Sequence, residues 1–247
     1  MKPLFAALRF LSILPIPQSW ASDAKHLSHS VKFFPVTGLI MAAIAAGFVW
    51  LFSFLLPQMV VASMAVILLA AITRGLHLDG LADMADGFWS VSDRQRTLEI
   101  MKDSYIGAMG VIAIACILLL KFACLSSLGE DTLWRGILLM VLSGRCMMVL
   151  PISLFPYARK EGGLGKLFYE TRTVFNAVWA VLFVLAAGWF IAGLAGIAAA
   201  IASVLVTIVF GFYCKWKIGG VTGDTIGATC EITEVVTVLV MCAWAVS

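Results

Sequence analysis

The chain has 247 residues, 62% of them hydrophobic and 13% charged, with a mean hydropathy of +1.03. That composition excludes a soluble globular protein and fits an integral-membrane chain with room for roughly six to eight spans at ~20 residues each. The formal net charge of +3 gives no ground for a nucleic-acid partner, because basic residues in a membrane chain report topology first. No stretch is long enough for a separate soluble unit, so residues 1–247 are expected to form one all-α, polytopic membrane domain. The six cysteines form no C-x-x-C pair and lie mostly in apolar runs, as small packing residues do.

Residues 3–14 read as an interfacial helix that stays on the mature chain. Arg9 interrupts the apolar run, and Pro15 and Pro17 stop it before it resembles a cleavable leader. His26 and His29 form an H-x-x-H pair without a third ligand, too little for a metal site. Spans follow at 34–56 and 58–76, nearly hairpin-tight at 57 and so antiparallel neighbours.

The next segment carries six of the chain's fourteen carboxylates between Asp79 and Asp103. It reads Gly75-Leu-His77-Leu-Asp79-Gly-Leu-Ala-Asp83-Met-Ala-Asp86-Gly87. At about 100° per residue, Asp79, Asp83 and Asp86 share an arc of roughly 60° on one helix face. Crowded carboxylates raise one another's pKa, and a hard cation resolves that repulsion. Oxygen ligands that leave room for phosphates suit Mg²⁺. The apolar neighbours Leu81, Ala82, Met84, Phe88 and Trp89 argue against a merely solvated loop. Ser92-Asp93-Arg94-Gln95 fits a capping box that opens a second helix, ending near Lys102-Asp103-Ser104, from where Asp103 is expected to fold back toward the first cluster.

Further spans are expected at 107–128, 133–155, 174–192, 194–213 and 225–246, seven in all. Arg145 lies inside the fourth span and needs a carboxylate or phosphate partner. Lys121, near the far end of its span, is expected to snorkel. Tyr157-Ala-Arg159-Lys-Glu161-Gly-Gly-Leu-Gly-Lys166 is a basic loop, readable equally as a phosphate clamp or as plain topology. In Gly219-Gly-Val-Thr222-Gly-Asp224-Thr-Ile-Gly227-Ala-Thr-Cys-Glu231, Asp224 and Glu231 share a helix face, and Gly223 and Gly227 form a G-x-x-x-G. Glu231 and Glu234 lie in the last apolar stretch, where an ionisable group is a functional candidate by default. Glu234 points about 60° away from Glu231. Among the connections, every second one, at 57–58, 129–132 and near 193, contains no Lys or Arg, so the N-terminus and all these motifs are expected on the cytoplasmic side.

Taken together, these motifs resemble the cobalamin synthase family, the adenosylcobinamide-GDP ribazoletransferases. The matching residues are the 75–87 stretch, Met101-Lys-Asp103-Ser104 with Gly107 and Gly110, Arg145, Tyr157-Ala-Arg159-Lys-Glu161-Gly162, and Gly220-Val-Thr222-Gly-Asp224-Thr-Ile-Gly227-Ala228 with Glu231. The extra glycine in Glu161-Gly-Gly-Leu-Gly165 departs from the pattern by one residue.

The resemblance implies a multi-pass enzyme of the bacterial inner membrane. It would join adenosylcobinamide-GDP and α-ribazole, or its 5′-phosphate, releasing GMP. Asp79, Asp83 and Asp86 would hold Mg²⁺, and Asp103 or Asp224 would act as base. Glu231 would complete a second metal position, and His77, Arg145, Arg159 and Thr222 would contact substrate. Cobinamide-GDP, ribazole and membrane lipid are the implied partners, with a homo-oligomer left open.

Two alternatives remain at this stage. A CDP-alcohol phosphotransferase shares intramembrane aspartates and Mg²⁺, but that family's arginine is replaced here by Asp83. A cation-coupled transporter would use Glu231 and Glu234, leaving the 79–103 cluster without purpose.

Overall fold

In the lipid core every backbone polar group must be satisfied within the chain, and this apolar sequence meets that demand with helices. The computed structural model describes residues 1–20, 24–90, 93–159 and 164–246. Its helices are α1 (Lys2–Leu11), α2 (Ala24–Ser28), α3 (Phe34–Ser53), α4 (Gln58–Ile72), α5 (Leu76–Ser90), α6 (Arg94–Ile100), α7 (Ala108–Ser127), α8 (Glu130–Leu154), α9 (Leu164–Leu167), α10 (Val174–Ile218) and α11 (Gly223–Val246). Among the described residues the one strand-like feature is a single parallel bridge between Tyr157 and Val221. The all-α membrane architecture is as expected.

Among the described residues, five helices are long and apolar enough to cross a membrane, or six if the bent pair α4–α5 counts as one span. The expected seven divided residues 174–213 into two spans and counted α4 alone. Within the 45 residues of α10, Ala192 and Gly193 leave helical geometry, Gly193 at φ +58°. The two halves then fold back so closely that a Cβ on Gly188 would lie 2.6 Å from the Gly196 carbonyl oxygen.

Helix α8 is the axis of the bundle. Its spanning window is 89% buried, against 22% for α7 and 28% for α10, which leaves those two to face lipid. It packs on α3, α10 and α11, and small residues permit the close approach. A Cβ on Gly38 of α3 would come within 2.8 Å of Arg145 Cβ, and one on Gly144 within 2.8 Å of Cys230 Sγ and Glu234 Cγ. Small residues at contact faces are how membrane helices approach closely without a hydrophobic driving force.

Hydrogen bonds sort the connections between the two ends of the bundle. Gln58 Nε2 donates to the Ser126 carbonyl at 3.2 Å at one end. At the other, Ile13 N donates to Ile72 O at 2.8 Å, Arg172 to Phe155 O at 2.8 Å and Arg159 to Met101 O at 3.2 Å. Helix α1 is shorter than the expected 3–14 and buries Ala6, Ala7, Leu8 and Leu11 at that second end.

There α4 stops and α5 leaves it at 85°. Arg74 N donates to Ala71 O at 3.0 Å and Gly75 N to Ala70 O at 2.9 Å, the paired bonds of a Schellman stop. Arg74 and Gly75 both take left-handed backbone, φ 54° and 68°. The elbow swings the aspartate-bearing helix out of the line of the span and across the bundle end. An L side chain at such a φ costs about 1–2 kcal/mol. We predict that Arg74→Gly raises the thermal midpoint of detergent-solubilised protein by about 2–4 °C; a lowered midpoint would contradict the strain.

Candidate active site

The site is built where α5 crosses the N-terminal turn of α11. Neither helix has a side chain at the contact. A Cβ on Gly80 would fall 2.8 Å from Asp224 O and 3.0 Å from Asp224 Cα, and one on Gly227 would fall 3.3 Å from His77 Cα. The expected G-x-x-x-G is therefore half used: Gly227 packs, while a Cβ on Gly223 would meet nothing within 4 Å. The crossing places Asp224 beside Asp79 and Asp83.

Helix α11 begins with a reciprocal cap. Thr222 N donates to Thr225 Oγ1 at 2.8 Å, and Thr225 N donates to Thr222 Oγ1 at 3.3 Å. Thr222 Oγ1 also donates to Asp224 Oδ2 at 3.1 Å. Arg159 Nη2 donates to the same oxygen at 2.7 Å. Arg159 is aimed there because its segment pairs with the approach to α11, through Ala158 N to Val221 O and Val221 N to Pro156 O, both 2.9 Å. Among the described residues, Arg159 Nε is buried without a hydrogen-bond partner.

Asp79 is exposed and Asp83 half-buried. Burial first, then the negative charges of Asp224 and Asp79, push the Asp83 carboxyl up to about 7, with Arg159 opposing. Near neutral pH this cluster thus holds either a proton or a cation. A cavity of about 200 Å³ adjoins it, and its lining includes His77, Asp79, Arg159 and Asp224 together with Phe10, Phe34 and Phe168. Both ring nitrogens of His77 are buried without partners. Burial and the Arg145 guanidinium push this imidazole down to about 3, so the ring is neutral.

The expected aspartate trio divides. Asp86 is buried, and its carboxylate accepts from Gly107 N at 2.7 Å and Gly110 N at 2.9 Å. It caps α7, where backbone N–H groups lack intrahelical partners and the dipole favours an anion. Among the described residues, no three His, Cys, Asp or Glu side chains gather closely enough to hold a metal unaided. Asp103 does not fold back as expected; it is exposed and accepts from Tyr105 N at 3.1 Å in its own turn. Helix α6 is capped by Asp93, whose Oδ1 accepts from Arg96 N at 2.8 Å. Ser92, and the Lys160–Gly163 part of the basic loop, lie outside the described residues.

Arg145 has the carboxylate partner that its place in a span calls for, and Glu231 joins it in a buried ion group away from the aspartates. Lys121 Nζ contacts Glu231 at 2.5 Å and also Glu234, and Arg145 pairs with Glu234, all four buried. Two acids and two bases neutralise one another within the bundle. Glu231 is thus held by Lys121 rather than turned to a second cation, and Arg145 by Glu234 rather than by phosphate. Lys121 does not snorkel. The glutamates that an ion-coupled carrier would offer are already paired. Lys121 and Glu234 were underrated by sequence, although a count of charges inside the apolar spans pairs them.

A family model described as cobalamin-5-phosphate synthase matches residues 3–242. An adenosylcobinamide-GDP ribazoletransferase of Geotalea daltonii is 36% identical, covering 97% of this chain and 96% of that protein. Proteins of the same name from Roseiflexus sp. and Herpetosiphon aurantiacus are each 40% identical, covering 95% and 98% of this chain and 87% and 97% of theirs. No solved structure matches.

Removing one partner of a buried ion network leaves an uncompensated charge at a cost of about 3–5 kcal/mol. We predict that Glu234→Gln strips most of the folded, monodisperse protein from detergent extracts, while Asp79→Asn leaves its yield and thermal midpoint near wild type. Equal loss in both variants would place the two residues in one functional unit and contradict the division.

Proposed function

This chain belongs to the cobalamin-5-phosphate synthase family, and we propose that it joins adenosylcobinamide-GDP to α-ribazole, or its 5′-phosphate, to give adenosylcobalamin, or its 5′-phosphate, and GMP. One arrangement carries the reading. The glycine crossing sets Asp224, already gripped by Arg159 and Thr222, beside the crowded pair Asp79 and Asp83. A diphosphate needs that combination: an anchored cationic group, carboxylates able to share a metal with phosphate oxygens, and a base.

The donor set fits Mg²⁺. That ion is commonly held by one or two carboxylates together with substrate phosphates, and Asp83, which shares a proton-or-cation cluster, is short of positive charge. Asp79 and Asp83 would hold it, and bound there it would supply charge neutralisation on the diphosphate and polarise its phosphorus. Asp86 has the supporting task of fixing α5 to α7.

The remaining steps fall to the chain's own groups. Arg159 offsets phosphate charge and orients the diphosphate. A ribose hydroxyl oxygen of ribazole attacks the cobinamide-side phosphorus in line, and the bond from that phosphorus to the bridging oxygen breaks. The hydroxyl proton passes to Asp224. Arg159 and Thr222 both engage Oδ2 of Asp224, which leaves Oδ1 for the proton. Asp103, turned to its own backbone, is the less well placed candidate for that role. GMP departs carrying the bridging oxygen. Positioning and charge neutralisation supply most of such a rate enhancement.

Phe10, Phe34 and Phe168 give the acceptor's aromatic base an apolar chamber and exclude bulk water. The basic segments meet the site at one end of the bundle, which by the positive-inside rule is the cytoplasmic face of the inner membrane.

Purified protein supplied with cobinamide-GDP is expected to release GMP only when ribazole is present; release without acceptor would contradict the reading. Asp83→Asn is predicted to abolish turnover in protein that still inserts and folds, and wild-type turnover would remove Asp83 from the mechanism. Chelation should stop the reaction and Mg²⁺ restore it. Because proton and cation compete for Asp83, the Mg²⁺ concentration for half-maximal rate should rise as pH falls below about 7. A pH-independent Mg²⁺ requirement would separate the metal from Asp83.

A further inference from the structure

A second cavity opens on the other side of Arg159. It measures about 570 Å³ and is walled by Arg94, Gln95, Leu98, Glu99, Lys102 and Arg159. The two chambers differ in kind. The first, at about 200 Å³, is smaller than the ~300–1,000 Å³ of sites that engulf a whole ligand and adds three phenylalanines to the polar residues of the site; the second lies within that range and is faced by three cations and, with Asp93, two carboxylates.

The wall contributed by α6 is rigid. Asp93 caps it, and Thr97 Oγ1 donates back to Asp93 O at 2.8 Å. Gly87 lets α6 seat on α5, since a Cβ there would come within 3.0 Å of Thr97 O. Arg94 donates to Ala158 O at 3.3 Å and lies against Gly219, so this cation is fixed next to the segment that aims Arg159.

Glu99 is the one carboxylate of the cavity not committed to a cap. It is half exposed, paired with Arg96 across one turn at 3.1 Å with side chains 50% and 64% accessible, a surface pair worth little and readily exchanged for a ligand. A carboxylate between cations suits a nucleotide whose base presents two adjacent donors. Guanine does so on its Watson–Crick edge, through N1–H and the 2-amino group; adenine does not.

Building on the function proposed above, we propose that this cavity holds the guanosine monophosphate half of the cobinamide-GDP substrate. Glu99 accepts from N1–H and the 2-amino group of guanine, Leu98 lies against the base, and Arg94 and Lys102 hold the nucleotide phosphate. Arg159 then lies at the diphosphate between the two chambers, the acceptor occupies the smaller apolar one, and the corrin projects from the mouth.

The test uses full-length protein in detergent with GMP, IMP and guanosine as probes, measured by equilibrium binding and by competition against cobinamide-GDP. IMP keeps N1–H but lacks the 2-amino group. Wild type should prefer GMP over IMP about tenfold or more, the worth of one hydrogen bond to a charged acceptor. Glu99→Gln should erase most of that preference and leave the KM for ribazole unchanged. Lys102→Ala should weaken GMP about tenfold while guanosine binds as before. An unaltered GMP-to-IMP ratio in Glu99→Gln, with turnover intact in wild type, overturns the cavity assignment and leaves the reaction standing. A Glu99-dependent preference for GMP in a protein that never turns over cobinamide-GDP supports the assignment and removes the reaction instead.

Discussion

Backbone contact between α5 and α11 at Gly80 and Gly227 is the constraint on which the site depends. Any side chain at Gly80 would meet main-chain atoms of Asp224, which cannot yield as the end of a flexible side chain can. Separating the helices by even the width of a methyl group would move Asp224 away from Asp79 and Asp83. The cluster would then lose the mutual repulsion that makes it cation-seeking. Glycine in a helix costs about 1 kcal/mol relative to alanine, and here that cost secures an approach no other residue permits.

Charge is divided between two depths of the same bundle. In the interior, Lys121, Arg145, Glu231 and Glu234 form a closed group of two cations and two anions, a composition that tolerates burial only because every member is paired. At the bundle end, Asp79, Asp83 and Asp224 face one another with Arg159 as the cation bonded to Asp224, and the local balance is negative. The first group holds α7, α8 and α11 together; the second is left wanting positive charge. His77, without hydrogen-bond partners for its ring nitrogens among the described residues, feels the charges of the interior group and lines the cavity beside Asp79 and Asp224.

Much of this was legible in the sequence because it rests on local spacing. The aspartate helix, the shared face of Asp224 and Glu231, the intramembrane place of Arg145 and the break near residue 193 all follow from periodicity, glycine and charge within a short window. What was not legible depends on which elements meet. Asp86 shares a helix face with Asp79 and Asp83, yet the start of α7 lies against its end of that face, so the carboxylate satisfies backbone donors. Asp103 looked free to fold back, but its short turn supplies a closer donor at Tyr105 N. Lys121 was placed at the lipid edge by its position along the span; its true partners are 110 and 113 residues away in sequence, and only the packing of α7 on α11 brings them together.

The 85° elbow after α4 explains why a membrane bundle suits this chemistry. Had α5 continued in line, its aspartates would have run on past the bundle end, away from Asp224 and Arg159. Turned aside by the left-handed pair Arg74 and Gly75, the same helix lies across the bundle end, with Asp83 within the field of Arg159 and Asp86 held by the start of α7. Arg159 is anchored on both sides, to Asp224 of α11 and to the carbonyl of Met101 beyond α6, and the two cavities open from it in different directions. A diphosphate placed across that guanidinium would have one organic end in each chamber or at its rim. On the proposed reading the bond that breaks would then lie near a cation held from two sides, and a corrin too large for either chamber would stay at the surface.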